Sequence, residues 1–97
     1  MHTAVATVAT DRASRYAKQL ASHLGRRCAV EETDAGTLLT LPTESGTARC
    51  LLASRAEALV LNAEGGTAEE LEQVKDVVGR HLVRFATHDE LVVDWVG

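Results

Sequence analysis

The sequence contains no isoleucine, a single proline and only three aromatic residues, Tyr16, Phe85 and Trp95. So few rings argue against a surface built to stack nucleic-acid bases, which relies on repeated aromatic platforms. They also leave the core to valine, leucine and alanine. The missing isoleucine, with eight arginines against two lysines, reads as the codon bias of a high-G+C genome and says nothing of function. Two cysteines are too few for a disulfide framework. Reduced thiols and a cytoplasmic location are therefore expected. No apolar run approaches the roughly 20 residues of a membrane-spanning helix. Residues 1–10 show neither the basic start nor the sustained apolar stretch of a signal peptide. Positive charge is also short: the formal net charge is −4, which argues against nucleic-acid or anionic-membrane partners.

What is present suits a single globular domain spanning residues 1–97. Hydrophobic residues make up 45% and charged residues 25% of the 97 positions. A chain of this length buries roughly two-thirds of its unfolded surface, enough for one core without metal or disulfide.

Two segments carry the period of a helix. After Asp11, a favoured N-cap residue, Ala13, Tyr16, Ala17, Leu20, Ala21 and Leu24 recur at i, i+3, i+4 and i+7 spacing. Gly25 follows, where a left-handed C-terminal residue is expected. The second helix opens after Gly65-Gly66 with Thr67-Ala68-Glu69-Glu70, a capping box. Leu71, Val74, Val78, Leu82 and Phe85 form its buried stripe, with Val77 and His81 along the edges.

Between the helices the period shortens to that of strands. Residues 28–32, 36–41, 47–53 and 58–63 are separated by short turn-forming pieces, which predicts a four-stranded antiparallel meander. Residues 3–10 and 91–96 supply a first and a last strand. The predicted fold is α+β, a two-layer sandwich with a mainly antiparallel sheet and both helices on one face, in the order β-α-β-β-β-β-α-β.

Chemistry is thinly marked. Cys28 and Cys50 fall on strands separated by a third, too far apart for a disulfide, and read as small buried hydrophobes. His2, His23, His81 and His88 show no i, i+3 or i, i+4 pairing, so no metal and no cofactor are assigned. No serine sits in a nucleophile elbow and no glycine-rich phosphate loop is present. His88-Asp89-Glu90 reads as a solvated turn. Charge is more informative. Arg12, Arg15, Lys18, Arg26 and Arg27 supply half of the Lys and Arg residues within sixteen positions. From Cys28 onward five basic residues face thirteen acidic ones. A basic face on the first helix and its exit would suit a small anionic ligand or an acidic protein partner.

His81-Leu82-Val83-Arg84-Phe85-Ala86, Asp89-Glu90-Leu91 and Val93-Asp94-Trp95 resemble the C-terminal signature of a small bacterial family, domain-of-unknown-function family 2218. Thr10-Asp11, Ala13, Arg15-Tyr16, Lys18-Gln19-Leu20 and His23-Leu24-Gly25 are similar to the family's first-helix pattern. The resemblance spans essentially the whole chain and implies a compatible fold but no activity. It also implies an association with siderophore-interacting reductases, and so with iron handling. The family positions it maps are Tyr16, His23, His81, Arg84, Phe85, Glu90 and Trp95. Thr87-His88-Asp89 departs from a more basic family stretch.

The chain therefore reads as a non-enzymatic binding or accessory domain, with Arg12, Arg15, Arg27, His23, His81, Arg84 and Glu90 as its ligand-binding candidates. One alternative is a structural module that forms homodimers through an exposed sheet face or edge. The other is an acid–base enzyme using His23, His81 and Glu90.

Overall fold

A computed structural model describes residues 1–43, 47–85 and 91–97. The elements follow the expected order: β1 (His2–Ala9), α1 (Ala13–Leu24), β2 (Ala29–Thr33), β3 (Gly36–Thr40), β4 (Arg49–Ser54), β5 (Ala58–Gly65), α2 (Ala68–Phe85) and β6 (Trp95–Val96). They form an α+β fold in which a six-stranded antiparallel sheet, ordered β2-β3-β4-β5-β1-β6, carries both helices. The four central strands in sequence make the meander, as their short connections require. β1 then pairs along its whole length with β5, from His2 opposite Gly65 to Ala9 opposite Ala58.

Register explains the core. Ala4, Ala63, Cys50 and Leu39 lie side by side on successive strands, and so do Ala6, Leu61 and Leu52. All are buried. Because side chains alternate across a strand, these rows put every inward residue on one face. Tyr16, Leu20 and Leu24 of α1 close over that face with Leu71, Val74, Val78 and Leu82 of α2. The two predicted stripes are thus the buried faces of the helices, with Ala21 and Phe85 only partly buried at the margin. Small alanines on β1 and β5 leave room for leucines from the helices. Truncating one of the fully buried leucines to alanine would cost about 2–5 kcal/mol.

Local chemistry sets the boundaries. Thr67 caps α2 as the capping box requires: its hydroxyl accepts the Glu70 N–H at 3.1 Å. The hydroxyl of Thr47 accepts the Gly66 N–H and donates to the Glu70 carboxylate, both at 3.2 Å, which ties the approach to β4 to the first turn of α2. The hairpin between β2 and β3 turns over Asp34-Ala35, where the Thr33 hydroxyl accepts the N–H groups of Ala35 and Gly36. Gly36 has φ +143°, and a Cβ there would lie 2.3 Å from the Leu52 carbonyl oxygen. Glycine alone allows β3 to approach β4 this closely at its first residue.

Three expectations are corrected. The α1 N-cap is Arg12, with no side-chain cap, and its N–H donates to the Thr10 hydroxyl at 3.0 Å. Asp11 therefore sits one residue before the cap. Gly25 is right-handed, at φ −62° and ψ −12°. The chain keeps coiling there, as the Gly25 N–H bonds Ala21 O and the N–H groups of Arg27 and Cys28 both reach Leu24 O. Finally, β6 is limited to Trp95–Val96, paired with Ala6 and Val5, although a strand over residues 91–96 was expected. Among the described residues no helix is long and apolar enough to cross a membrane.

Candidate cleft at the end of the first helix

The turn after α1 brings the charge run and the helix-end histidines to one place. His23 is the penultimate residue of α1 and is exposed, while His81 lies on the margin of α2 and is half-buried. Their rings approach to 5.1 Å between centroids at an interplanar angle of 48°. Phe85 meets His23 edge-on, at 5.2 Å and 79°. Aromatic groups favour this T-shaped arrangement because a positive ring edge then faces a negative π face.

The protonation of His81 follows from its partner. Its Nδ1 lies 2.6 Å from the carbonyl oxygen of Val77, one helical turn back. A carbonyl can only accept, so Nδ1 carries the hydrogen and donates it. In the neutral ring Nε2 is then the acceptor.

A cleft of about 420 Å³ opens beside this pair. Its walls divide into three parts. Leu24, Leu41, Pro42 and Val77 are apolar, and Gln73 and the two imidazoles are polar but uncharged when the rings are neutral. Arg26 and Arg27, both exposed, supply positive charge, and among the described residues no Asp or Glu lines the space. Gln73, Val77 and His81 recur every fourth residue on α2, the spacing of one helical ridge. Cys28 also lines the cleft, and burial raises its thiol above the ordinary range, so it is a neutral thiol at neutral pH. Cys50, on β4, has its thiol pushed up to about 12 by burial despite a hydrogen bond with the Asn62 backbone. Both thiols are free.

The seven candidate residues separate in space. His23, His81 and Arg27 line the cleft. Arg12 and Arg15 flank a different surface groove with Asp11, Lys18 and Arg55, at the opposite end of a helix about 18 Å long. The basic run thus forms two clusters instead of one face. Arg84 is exposed on the last turn of α2 and does not line the cleft. Glu90, together with His88 and Asp89, lies outside the described residues. Arg26, Cys28 and Gln73 were not among the candidates. Adjacency to Arg27 and the four-residue ridge leading to His81 are the signals that point to the first and last. Among the described residues no group of three or more His, Cys, Asp or Glu side chains converges to hold a metal ion.

Residues 5–96 match a family described as "Uncharacterized protein conserved in bacteria (DUF2218)". The chain belongs to this family. No protein of curated function matches the DUF2218 chain. Among solved structures it is similar to PA4090 from Pseudomonas aeruginosa, determined by NMR, at 25% identity and a TM-score of 0.77. That alignment covers 99% of this chain and 96% of the other. DUF2218 membership leaves the chemistry of His23 and His81 to be read from the cleft.

Proposed function

We propose that this chain is a non-enzymatic binding domain for a small organic anion, held in the cleft between His23, His81, Arg26 and Arg27. The observation that carries this reading is the composition of the walls: two guanidinium groups and two imidazoles, with no carboxylate among the described residues that line them. An anion at the C-terminal end of α1 would otherwise be opposed by the helix dipole. Here the Leu24 carbonyl is occupied by the Arg27 and Cys28 N–H groups, and the two arginines add full positive charges nearby. Guanidinium forks suit carboxylates, which they can engage through two parallel hydrogen bonds. The apolar wall favours a ligand with a hydrocarbon or aromatic body over a bare inorganic ion. A cleft of about 420 Å³ falls in the size range that takes small organic molecules. The family's implied association with siderophore-interacting reductases supports an accessory role in iron metabolism.

The test is a ligand-observed NMR screen of small organic carboxylates, with inorganic phosphate included, against the wild-type chain and an Arg26→Ala/Arg27→Ala variant. A charge-assisted hydrogen bond contributes about 1.5–3 kcal/mol, so losing one such contact should weaken binding about 10- to 100-fold. Binding that survives in the double variant would remove the cleft from the account. So would a screen in which only Arg12→Ala/Arg15→Ala changes the affinity.

A further inference from the structure

Both helices cover one face of the sheet, which leaves the other bare. On that bare face the register aligns one residue from each strand in a single row: Val96, Val5, Asn62, Leu51, Leu38 and Glu31. Four of the six are aliphatic, and Val5 and Val96 are 40% and 70% exposed. Val60, beside Thr7 in the next row, extends the apolar area. The row on the other side contains Arg49 and Glu64, which face each other across β4 and β5 and form an ion pair at 2.5 Å. The charges at the centre of this face therefore cancel, and Glu31 stands at its edge.

We propose that this face is the interface of a symmetric homodimer, sheet packed on sheet. The occupant is a second copy because the surface suits itself. A neutral apolar field offers nothing to a charged partner, whereas a two-fold axis brings each aliphatic row onto another aliphatic row. It also sets Arg49 and Glu64 of one copy near the oppositely charged groups of the other, an isologous arrangement. That pairing places the axis between β4 and β5, at the middle of the row.

Area agrees. Six strands about 4.8 Å apart and three residue rows give a face of about 400 Å² in projection. Its accessible area is larger because the side chains stand off the sheet. Two copies together thus bury on the order of 1,000 Å², the lower bound of a specific interface. Interfaces at this low end of the size range belong to weak, transient encounters, so dimerisation is expected at roughly tens of micromolar.

Sedimentation velocity on the full chain from about 5 to 500 µM tests this, a range spanning the expected midpoint. Wild type should pass from one to two chain masses. Val5→Lys and Leu51→Glu should each move that midpoint upward at least about tenfold, since each buries an unpaired charge in the interface. Val83→Lys, on the exposed side of α2, should leave it in place. Circular dichroism of each variant establishes that it is folded, and Val5, the more exposed of the two interface sites, is the safer substitution. A single chain mass at every concentration overturns the proposal. So does a dimer indifferent to both sheet-face variants.

Discussion

Gly79 lies in the interior of α2, where glycine is normally destabilising because it loses more backbone freedom than any other residue. Its position has an evident use: Trp95 of β6 and Val93, two residues before it, lie against it. Yet a Cβ built there would lie 3.5 Å from the Trp95 indole nitrogen and 3.6 Å from Val93 Cγ1. Those are ordinary contact distances, so one methyl group fits without displacing either neighbour. Gly79→Ala should then recover the helix-propensity difference of about 0.8–1.0 kcal/mol. In a chain of this size that corresponds to a rise in melting temperature of about 4–8 °C. Urea unfolding followed by circular dichroism measures the gain, and fluorescence of Trp95, the only tryptophan, reports whether the indole has moved. Gly79→Leu should reverse the sign, because the longer side chain would need the volume Trp95 occupies. A Gly79→Ala protein less stable than wild type would refute the reasoning, and would mean that the indole sits tighter against α2 than these distances allow.

Two further predictions concern the sheet. Gly36→Ala should destabilise the protein by at least about 2 kcal/mol in the same urea assay, because it combines a positive φ with an overlap on the Leu52 carbonyl. An unchanged midpoint would show that the β2–β3 hairpin can shift away from β4. Cys50 makes stability depend on alkaline pH. Its thiol rises from an ordinary 9.0 to about 12 in the fold, so the unfolded chain ionises first. The stability this group contributes is fully present below pH 9 and is lost as pH rises towards 12, by up to about 1.4 kcal/mol per pH unit. Cys50→Ala, though less stable overall, should show a shallower alkaline slope than wild type, and equal slopes would remove Cys50 as the cause.

Much of this architecture is legible in the residue pattern, for identifiable reasons. Ala13 to Leu24 and Leu71 to Phe85 repeat at helical spacing because each helix must bury one stripe, and a stripe is a local property. The short connections between residues 28 and 63 point to antiparallel neighbours because longer crossovers would be needed otherwise. The capping box at Thr67 is local as well, and its hydroxyl bonds the Glu70 N–H as the motif requires. Where non-local geometry decides, the pattern misleads. Leu91, Val93 and Trp95 alternate inward as expected, but alternation reports which side chains face the core and not which backbone groups pair. Only Trp95 and Val96 enter the ladder. Gly25 follows the last buried residue of α1, yet the turn continues right-handed to reach Cys28.

The cleft was half-visible for the same reason. His23 and His81 each stand near a helix C-terminus, which the chain order states plainly. Their approach to 5.1 Å depends on how α1 and α2 share the sheet, and no spacing within either helix encodes that. The cluster of arginines between Arg12 and Arg27 looks continuous along the chain. A rigid helix about 18 Å long nevertheless separates its two ends, so only the Arg26-Arg27 end reaches the imidazoles.

The most direct test of an anion-binding cleft is where on the molecule a bound anion acts. Amide and imidazole NMR spectra of the uniformly labelled chain, recorded during titration with an organic carboxylate, provide it. Shift changes concentrated at His23, Arg26, Arg27, Cys28 and His81 are the expected result. Changes centred on Arg12 and Arg15, or absent throughout a screen carried to millimolar concentrations, would contradict the account.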